Sequence, residues 1–173
     1  MKLPVALALV VGVIGVVITY LYVGPLGGLG LLVPATFLGA ASYYAAGGDT
    51  PALTSSLATN VWGIVCGTIT LILLGLVASP FLVAIIVGGM TAVFILGALT
   101  PFLGFVPGSV IGFATTVAFG LLTSASGTDF SLPTGPFTVM LISFVIGNLY
   151  GWGSSLLVGR LVAPAASTES STV

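Results

Sequence analysis

The sequence has very few charged residues and no histidine. Only 3% of its 173 residues are charged, namely Lys2, Asp49, Asp129, Arg160 and Glu169. A soluble domain carries about a quarter charged residues, so this composition excludes a surface that is covered with polar groups in water. Hydrophobic residues make up 58% of the chain, and its mean hydropathy is +1.34. We therefore expect an integral membrane protein.

The missing residue types also exclude most enzyme chemistry. Without histidine there is neither the usual general base near neutral pH nor the commonest metal ligand. The single cysteine, Cys66, allows no intrachain disulfide and no thiolate metal cluster, and we expect it to be a small buried side chain inside a helix. Two basic residues are too few to neutralise the phosphates of a nucleic acid. We expect no enzyme activity, no cofactor, no bound metal and no nucleic-acid partner.

Glycine, proline and polar clusters divide the chain into six apolar segments. A bilayer core of about 30 Å needs about 20 apolar residues per helix. The predicted spans are residues 3–22, 31–46, 51–77, 80–99, 106–122 and 136–162. Pro51, Pro80 and Pro136 each open a span, where a missing N–H costs nothing. Residues 1–162 are expected to form one transmembrane domain, followed by a disordered polar tail at 163–173.

The two basic residues predict the orientation of the chain. Six spans place both termini on one side of the membrane, and Lys2 and Arg160 lie next to those two ends. The positive-inside rule then predicts that both termini are cytoplasmic. The first segment has 20 residues and no clear cleavage site after it, so we interpret it as a span of the cytoplasmic membrane and not as a signal peptide.

An internal repeat is the most informative pattern in the sequence. Residues 33–47 and 106–120 align at an offset of 73, with six of 15 positions identical. The next span of each half carries a second match, because Asn-Val-Trp-Gly at 60–63 corresponds to Asn-Leu-Tyr-Gly at 148–151. A unit of three spans begins and ends on opposite sides of the membrane, so its copy must run upside down. The predicted fold is an all-α membrane protein built from two inverted three-helix repeats, residues 1–78 and 79–162.

The first half also resembles a known family. The segment from Phe37 to Gly48, with the sequence Phe-Leu-Gly-Ala-Ala-Ser-Tyr-Tyr-Ala-Ala-Gly-Gly, is followed by Ser-Leu-Ala-Thr-Asn-Val-Trp-Gly at 56–63. These residues are similar to the uncharacterised bacterial inner-membrane family of YcdZ-like proteins, a domain of unknown function. The similarity is sharp over residues 37–67. It implies a small multi-span protein of the inner membrane, and it implies no activity.

Asn60 and Asn148 are the two asparagines of the chain, and both fall well inside long spans. A carboxamide in hydrocarbon needs hydrogen-bond partners. One interpretation is that the repeat brings both amides to a constriction at the membrane midplane, where they bind a polar solute. The other is that each amide only holds helices together, a contact worth about 0.6 kcal/mol on average. The sequence leaves both open.

Other residues of the repeat are candidates for lining a path or for packing. Pro34 and Pro107 lie near the starts of the two shortest spans, where they either interrupt a helix at a transport site or simply open it. Trp62 and Tyr150 adjoin the asparagines and are expected to lie deep. Small residues recur at helical spacing and predict close helix packing, or a homo-oligomer, in the lipid bilayer. The packing candidates are Gly39, Gly63, Gly112 and Gly151.

Three functions are compatible with these patterns. The first is a channel or facilitator for a small neutral polar solute, with its path between the two repeats. The second is a membrane protein that only packs into an assembly or scaffold. The third is a sodium-coupled transporter, because proton-coupled carriers usually keep a carboxylate or a histidine inside the membrane and the predicted spans contain neither.

Overall fold

The computed structural model describes residues 1–162, and these residues form a bundle of six α-helices. The predicted polar tail at 163–173 lies outside the described residues. The helices are α1 (Leu3–Val23), α2 (Val33–Ala45), α3 (Thr50–Leu74), α4 (Pro80–Leu96), α5 (Val106–Thr123) and α6 (Pro136–Val162). One 3-10 turn lies between α1 and α2, and two lie between α4 and α5. Each helix begins within two residues of its predicted start and ends within three of its predicted end.

Five of the helices are long and apolar enough to cross a membrane, which supports a membrane-embedded protein. The exception is α2, whose 13 residues span only about 20 Å at 1.5 Å per residue. It is shorter than predicted because Leu31 and Leu32 precede the helix, which starts at Val33 with Pro34 in its first turn. After its last residue the chain turns through Gly47 and Gly48, which have φ values of 129° and 72°.

The two longest helices, α3 and α6, form the centre of the bundle. The longest contact surfaces lie between α3 and α5 and between α2 and α6, while α1 packs outside α6 and α4 outside α3. Between α3 and α6 the buried side chains of Ile64, Met140 and Phe144 form one apolar cluster. The outer helix α4 buries only Phe94, so it presents almost all of its apolar surface outward.

Contacts along the helices give their relative directions. Near the start of α2 the amide N–H of Leu32 donates to Ser143 Oγ (3.1 Å), and near its end the hydroxyl of Tyr44 donates to the carbonyl of Gly151 (3.3 Å). Since both residue numbers rise together, α2 and α6 are parallel. In the same way Gly108 abuts Thr59 and Gly120 abuts Leu71, so α3 and α5 are parallel.

The charged residues are distributed between the two ends of the bundle. The hydroxyl of Tyr150 donates to the carbonyl of Val11 (2.7 Å), and further along α1 Tyr22 shares a cluster with Ile142. These contacts make α1 antiparallel to α6, so Lys2 and Arg160 lie at the same end. Asp49, which follows α2, lies at that end too, whereas Asp129 precedes α6 at the opposite end.

Candidate functional site: a buried amide pair

Asn60 and Asn148 meet at the centre of the bundle. Asn60 is the eleventh of 25 residues in α3, and Asn148 is the thirteenth of 27 in α6. Both side chains are fully buried. The Nδ2 group of Asn148 donates to Oδ1 of Asn60 across 2.9 Å. The two halves of the chain are therefore joined, at mid-helix, by a direct amide–amide hydrogen bond.

Each amide also binds other partners. Nδ2 of Asn60 donates to Ser42 Oγ (2.9 Å) and to the carbonyl of Gly108 (3.0 Å). The second proton of Asn148 Nδ2 goes to the carbonyl of Phe144, at 2.9 Å. Ser56 Oγ lies 2.7 Å from Ser42 Oγ and 3.3 Å from Oδ1 of Asn60. We call Asn60, Asn148, Ser42 and Ser56 the amide cluster; it connects α2, α3 and α6, and reaches the backbone of α5.

Glycines bring the helix backbones close enough for these bonds. A Cβ at Gly112 would collide with the backbone of Asn60, and a Cβ at Gly39 would lie 2.9 Å from the carbonyl of Phe144 and 3.3 Å from the backbone nitrogen of Asn148. A Cβ at Gly63 would collide with the carbonyl of Ser109, and one at Gly151 would lie 2.6 Å from the ring of Tyr43. All four predicted packing glycines thus lie where two helices touch, and any side chain there would separate them.

Trp62 and Tyr150 are near the amide cluster in sequence but face away from it. The indole Nε1 of Trp62 donates to the carbonyl of Phe94 in α4 (3.1 Å), and Trp62 is half-buried. The hydroxyl of Tyr150 donates to Val11 in α1, and its ring packs edge-on against Phe37 with centroids 5.7 Å apart. Both side chains therefore fasten an outer helix to a central one.

Pro34 and Pro107 both lie in the first turn of their helices and are exposed. At that position a proline removes no intrahelical hydrogen bond. Neither proline takes part in the hydrogen bonds of the amide cluster. Their local role is to start α2 and α5.

Four cavities that are lined by residues within 1–162 lie away from the amide cluster. A cavity of about 590 Å³ lies at the ends of α3 and α5, lined by Leu71, Gly120 and Ser126 among others. Another of about 480 Å³ lies beside it, next to Asp129 and Pro133. The other two, of about 720 and 620 Å³, are apolar grooves along α1. None of these four is lined by Asn60 or Asn148. The amide pair is enclosed, since both side chains are fully buried.

Asp129 lies in the loop before α6. Among residues 1–162 it is the only charged residue at this end of the bundle. Oδ1 of Asp129 accepts from the hydroxyl of Ser131 (2.6 Å) and from its N–H (2.8 Å), and Oδ2 accepts from Thr134 Oγ1 (2.6 Å). These bonds lower the pKa of the Asp129 carboxyl below its ordinary value because they stabilise its charged form. The bond from the Ser131 hydroxyl contributes most to this shift. Within residues 1–162 no group of three or more potential metal ligands comes together.

Ser42, Ser56 and the carbonyl of Gly108 are members of this site that the sequence did not single out. Ser42 and Ser56 lie 14 residues apart on different helices, and serine is frequent in membrane helices, so neither carries a signal of its own. For Ser56 the position in the helix could have indicated it, since Ser56 lies one turn before Asn60 on the same face of α3.

Comparison with known proteins identifies one family. The sequence profile of the family described as "Protein of unknown function (DUF1097)" matches residues 8–159, which is most of the chain and confirms the resemblance found in the first half. No curated protein and no solved structure matches.

Proposed function

The chain belongs to this family of proteins of unknown function, whose description assigns no activity, so we propose a function from the site itself. We propose that the protein is a non-enzymatic channel or facilitator for a small neutral polar solute in the cytoplasmic membrane. The observation that carries the proposal is the hydrogen bond between Asn60 and Asn148, fully buried at mid-helix. Each half of the chain contributes one of these amides.

An inverted-repeat architecture is part of the proposal, and the helix contacts support it. If α1–α3 correspond to α4–α6, the contact of α2 with α6 corresponds to that of α5 with α3, and both pairs are parallel. Likewise Trp62 binds α4 as its counterpart Tyr150 binds α1. Asn60 and Asn148 are counterparts that touch each other, as residues on a two-fold axis must. Such an axis in the membrane plane puts a transport site at the midplane.

The proposed topology has six crossings, with both termini cytoplasmic. It treats α2 as a crossing that Leu31, Leu32 and the glycine turns complete on either side of its 13 helical residues. The common end of Lys2 and Arg160 supports this arrangement, since the positive-inside rule assigns such an end to the cytoplasm. Asp129 then lies on the external side.

Polar groups on both sides of the amide pair support a path beside α2. Toward the proposed external end, Tyr22 and Thr36 share a hydrogen bond (3.1 Å), and Ser143 accepts from Leu32. Toward the proposed cytoplasmic end lie Ser42 and Ser56. A solute leaving water needs such hydrogen-bond partners along the membrane interior. The enclosed amide pair corresponds to the closed state, and opening requires α2 to move away from α6.

The test exchanges each amide for a side chain of similar size without hydrogen-bonding groups. We expect Asn60→Leu and Asn148→Leu to abolish solute flux into liposomes across a panel of water, urea, acetamide and glycerol. Thermal stability in detergent is measured on the same preparations. Asn60→Leu removes three interhelical hydrogen bonds and Asn148→Leu removes one. Each bond costs only about 1 kcal/mol, which should leave the bundle folded.

The control is Thr91→Val, which removes a hydroxyl of α4 that donates to Val87 (2.8 Å), away from the amide cluster. Its flux should equal that of the unaltered protein. Unchanged flux in both asparagine variants would contradict the proposal and leave the amides with a packing role. If a leucine variant loses stability as well, the test is repeated with Asn→Ser variants. Measuring solute flux with and without a sodium gradient separates facilitation from sodium-coupled transport.

A second candidate function is assembly of a membrane complex, including a homo-oligomer. The observation that favours it is the outward surface of α4, where Gly88 and Gly89 have no atom within 4 Å of an added Cβ. Small residues on an open helix face allow another helix to approach closely. Gly88→Leu should then dissociate the oligomer in detergent without changing flux.

A further inference from the structure

One atom of the amide cluster has no hydrogen-bond partner. Oδ1 of Asn148 is buried and unpaired among the described residues, whereas Oδ1 of Asn60 accepts from Asn148 and lies within reach of Ser56. An unpaired acceptor in the interior is costly because it has lost its water. In a membrane the lost partner is not replaced by solvent, so this carbonyl oxygen is the point of the cluster at which a further group would be most strongly bound.

The surrounding bonds fix which atom of each amide is oxygen and which is nitrogen. Phe144 and Gly108 present backbone carbonyls, which only accept, so the atoms facing them must be the Nδ2 groups of Asn148 and Asn60. The second proton of each Nδ2 goes to Asn60 Oδ1 and to Ser42 Oγ, respectively. All four amide protons are thus used. The cluster offers a ligand an acceptor and no amide donor.

We infer that Oδ1 of Asn148 binds a small neutral solute through an O–H or N–H donor of that solute. The inference deepens the proposed function and rests on it for the passage of the solute. It predicts selection for donors, since a solute that only accepts hydrogen bonds finds no free amide proton.

Ions do not fit this site. The charged side chains of the described residues lie outside the helices or in the last turn of α6, as Arg160 does. An anion would face oxygen lone pairs, and a bare cation would need several oxygen ligands to offset its dehydration. One carbonyl oxygen in an apolar environment provides a single ligand. The chemical class is therefore an uncharged hydrogen-bond donor, with water among the smallest.

The test uses the fact that these two asparagines are the only carboxamide side chains, since the chain has no glutamine. The protein is labelled with 13Cγ-asparagine, reconstituted in lipid bilayers and observed by solid-state NMR, which gives two side-chain signals. Asn60→Ser removes the Asn60 signal, so the signal that remains is that of Asn148. The probes are acetamide and acetone, which share their size and carbonyl, but only acetamide has N–H donors.

We expect acetamide to shift the Asn148 carbonyl signal saturably and the Asn60 signal far less. Its apparent affinity should be about fivefold above that of acetone, the difference that one hydrogen bond of about 1 kcal/mol makes. Where resident water holds the site, replacing H2O with D2O should shift the Asn148 signal more than the Asn60 signal, because exchange of the Nδ2 protons for deuterium shifts both signals alike. An equal response to acetone, a larger response to sodium chloride, or no response to any probe and to D2O would overturn the inference.

Flux in the same liposomes separates the two proposals. A donor-specific response without flux confirms the binding site and contradicts the facilitator. Flux without any response at Asn148 keeps the facilitator and removes this recognition atom.

Discussion

At the scale of single residues, Asp129 gives a prediction about pH. Its pKa is lowered by donors from Ser131 and Thr134, so the ionised carboxylate stabilises the loop before α6. That contribution is complete above the ordinary pKa of a carboxyl group and is lost as the pH falls through the lowered value. We expect Ser131→Ala and Thr134→Val each to raise the pKa of Asp129, measured by NMR titration of its carboxyl carbon.

The matched control for this titration is Ser126→Ala. Ser126 lies in the same loop, but its hydroxyl contacts Thr128 at 2.8 Å and not the carboxylate. It should leave the pKa of Asp129 unchanged. A pKa that stays the same in all three variants would show that hydrogen bonds from these side chains do not hold the carboxylate in its charged form.

Tyr150 provides a second test at this scale, because its hydroxyl joins α6 to the backbone of α1 and not to the amide cluster. Tyr150→Phe should lower the free energy of unfolding by about 0.6 kcal/mol, the average for such a bond in a membrane, and leave solute flux unchanged. A variant that keeps its stability but loses flux would place this hydroxyl in the path after all.

At the scale of helices, the glycine contacts determine how closely α3 and α5 approach. In Gly63→Ala the new methyl group would meet the backbone of Ser109 and Phe113, and backbone atoms cannot rotate aside as a side chain can. We expect a loss of about 1–3 kcal/mol, typical of overpacking, seen as a lower unfolding temperature in detergent. Gly12→Ala is the control, since its Cβ would have no atom within 4 Å.

In the control, stability should change by no more than about 0.5 kcal/mol, with a small gain because alanine favours helix over glycine. Equal changes in stability in the two variants would mean that contact with α5 does not determine the effect of Gly63→Ala.

The helix boundaries could be predicted from the sequence, because local chemistry sets them. Pro80 and Pro136 begin their helices where predicted, since proline fits a first turn and interrupts a later one. The sequence leaves open whether Asn60 and Asn148 bind a solute or hold helices together, and their contact is compatible with both interpretations. The directions of Trp62 and Tyr150 could not be predicted, since they depend on which neighbour each helix face meets. The unpaired Oδ1 of Asn148 could not be predicted either, because it depends on the hydrogen bonds of all the neighbouring groups.

At the scale of the whole molecule, the orientation in the membrane can be measured with single cysteines. Cys66 is fully buried and is first replaced by alanine. In that background Ser126→Cys should react with an impermeant thiol reagent on intact cells, because the loop containing Asp129 is external in the proposed topology. Thr50→Cys, next to Asp49, should react only after the membrane is opened.

Both positions are exposed at the two ends of the bundle, so accessibility within the protein is matched. Labelling of Thr50→Cys but not of Ser126→Cys on intact cells would reverse the orientation. Labelling of both would contradict six crossings.

The unequal lengths of neighbouring helices have a consequence for the surrounding lipid. The 13 residues of α2 lie beside the 27 of α6, and Phe37 and Leu38 of α2 are exposed. In the proposed six-crossing topology, where this short helix meets acyl chains, hydrophobic mismatch thins the bilayer at modest energetic cost per ångström. In the proposed mechanism, thickness would thereby become a force on α2, the helix whose movement we propose to open the amide pair. Shorter-chain lipids would relieve that force and longer-chain lipids would increase it, so we expect acyl-chain length to regulate solute flux from one side of the bundle.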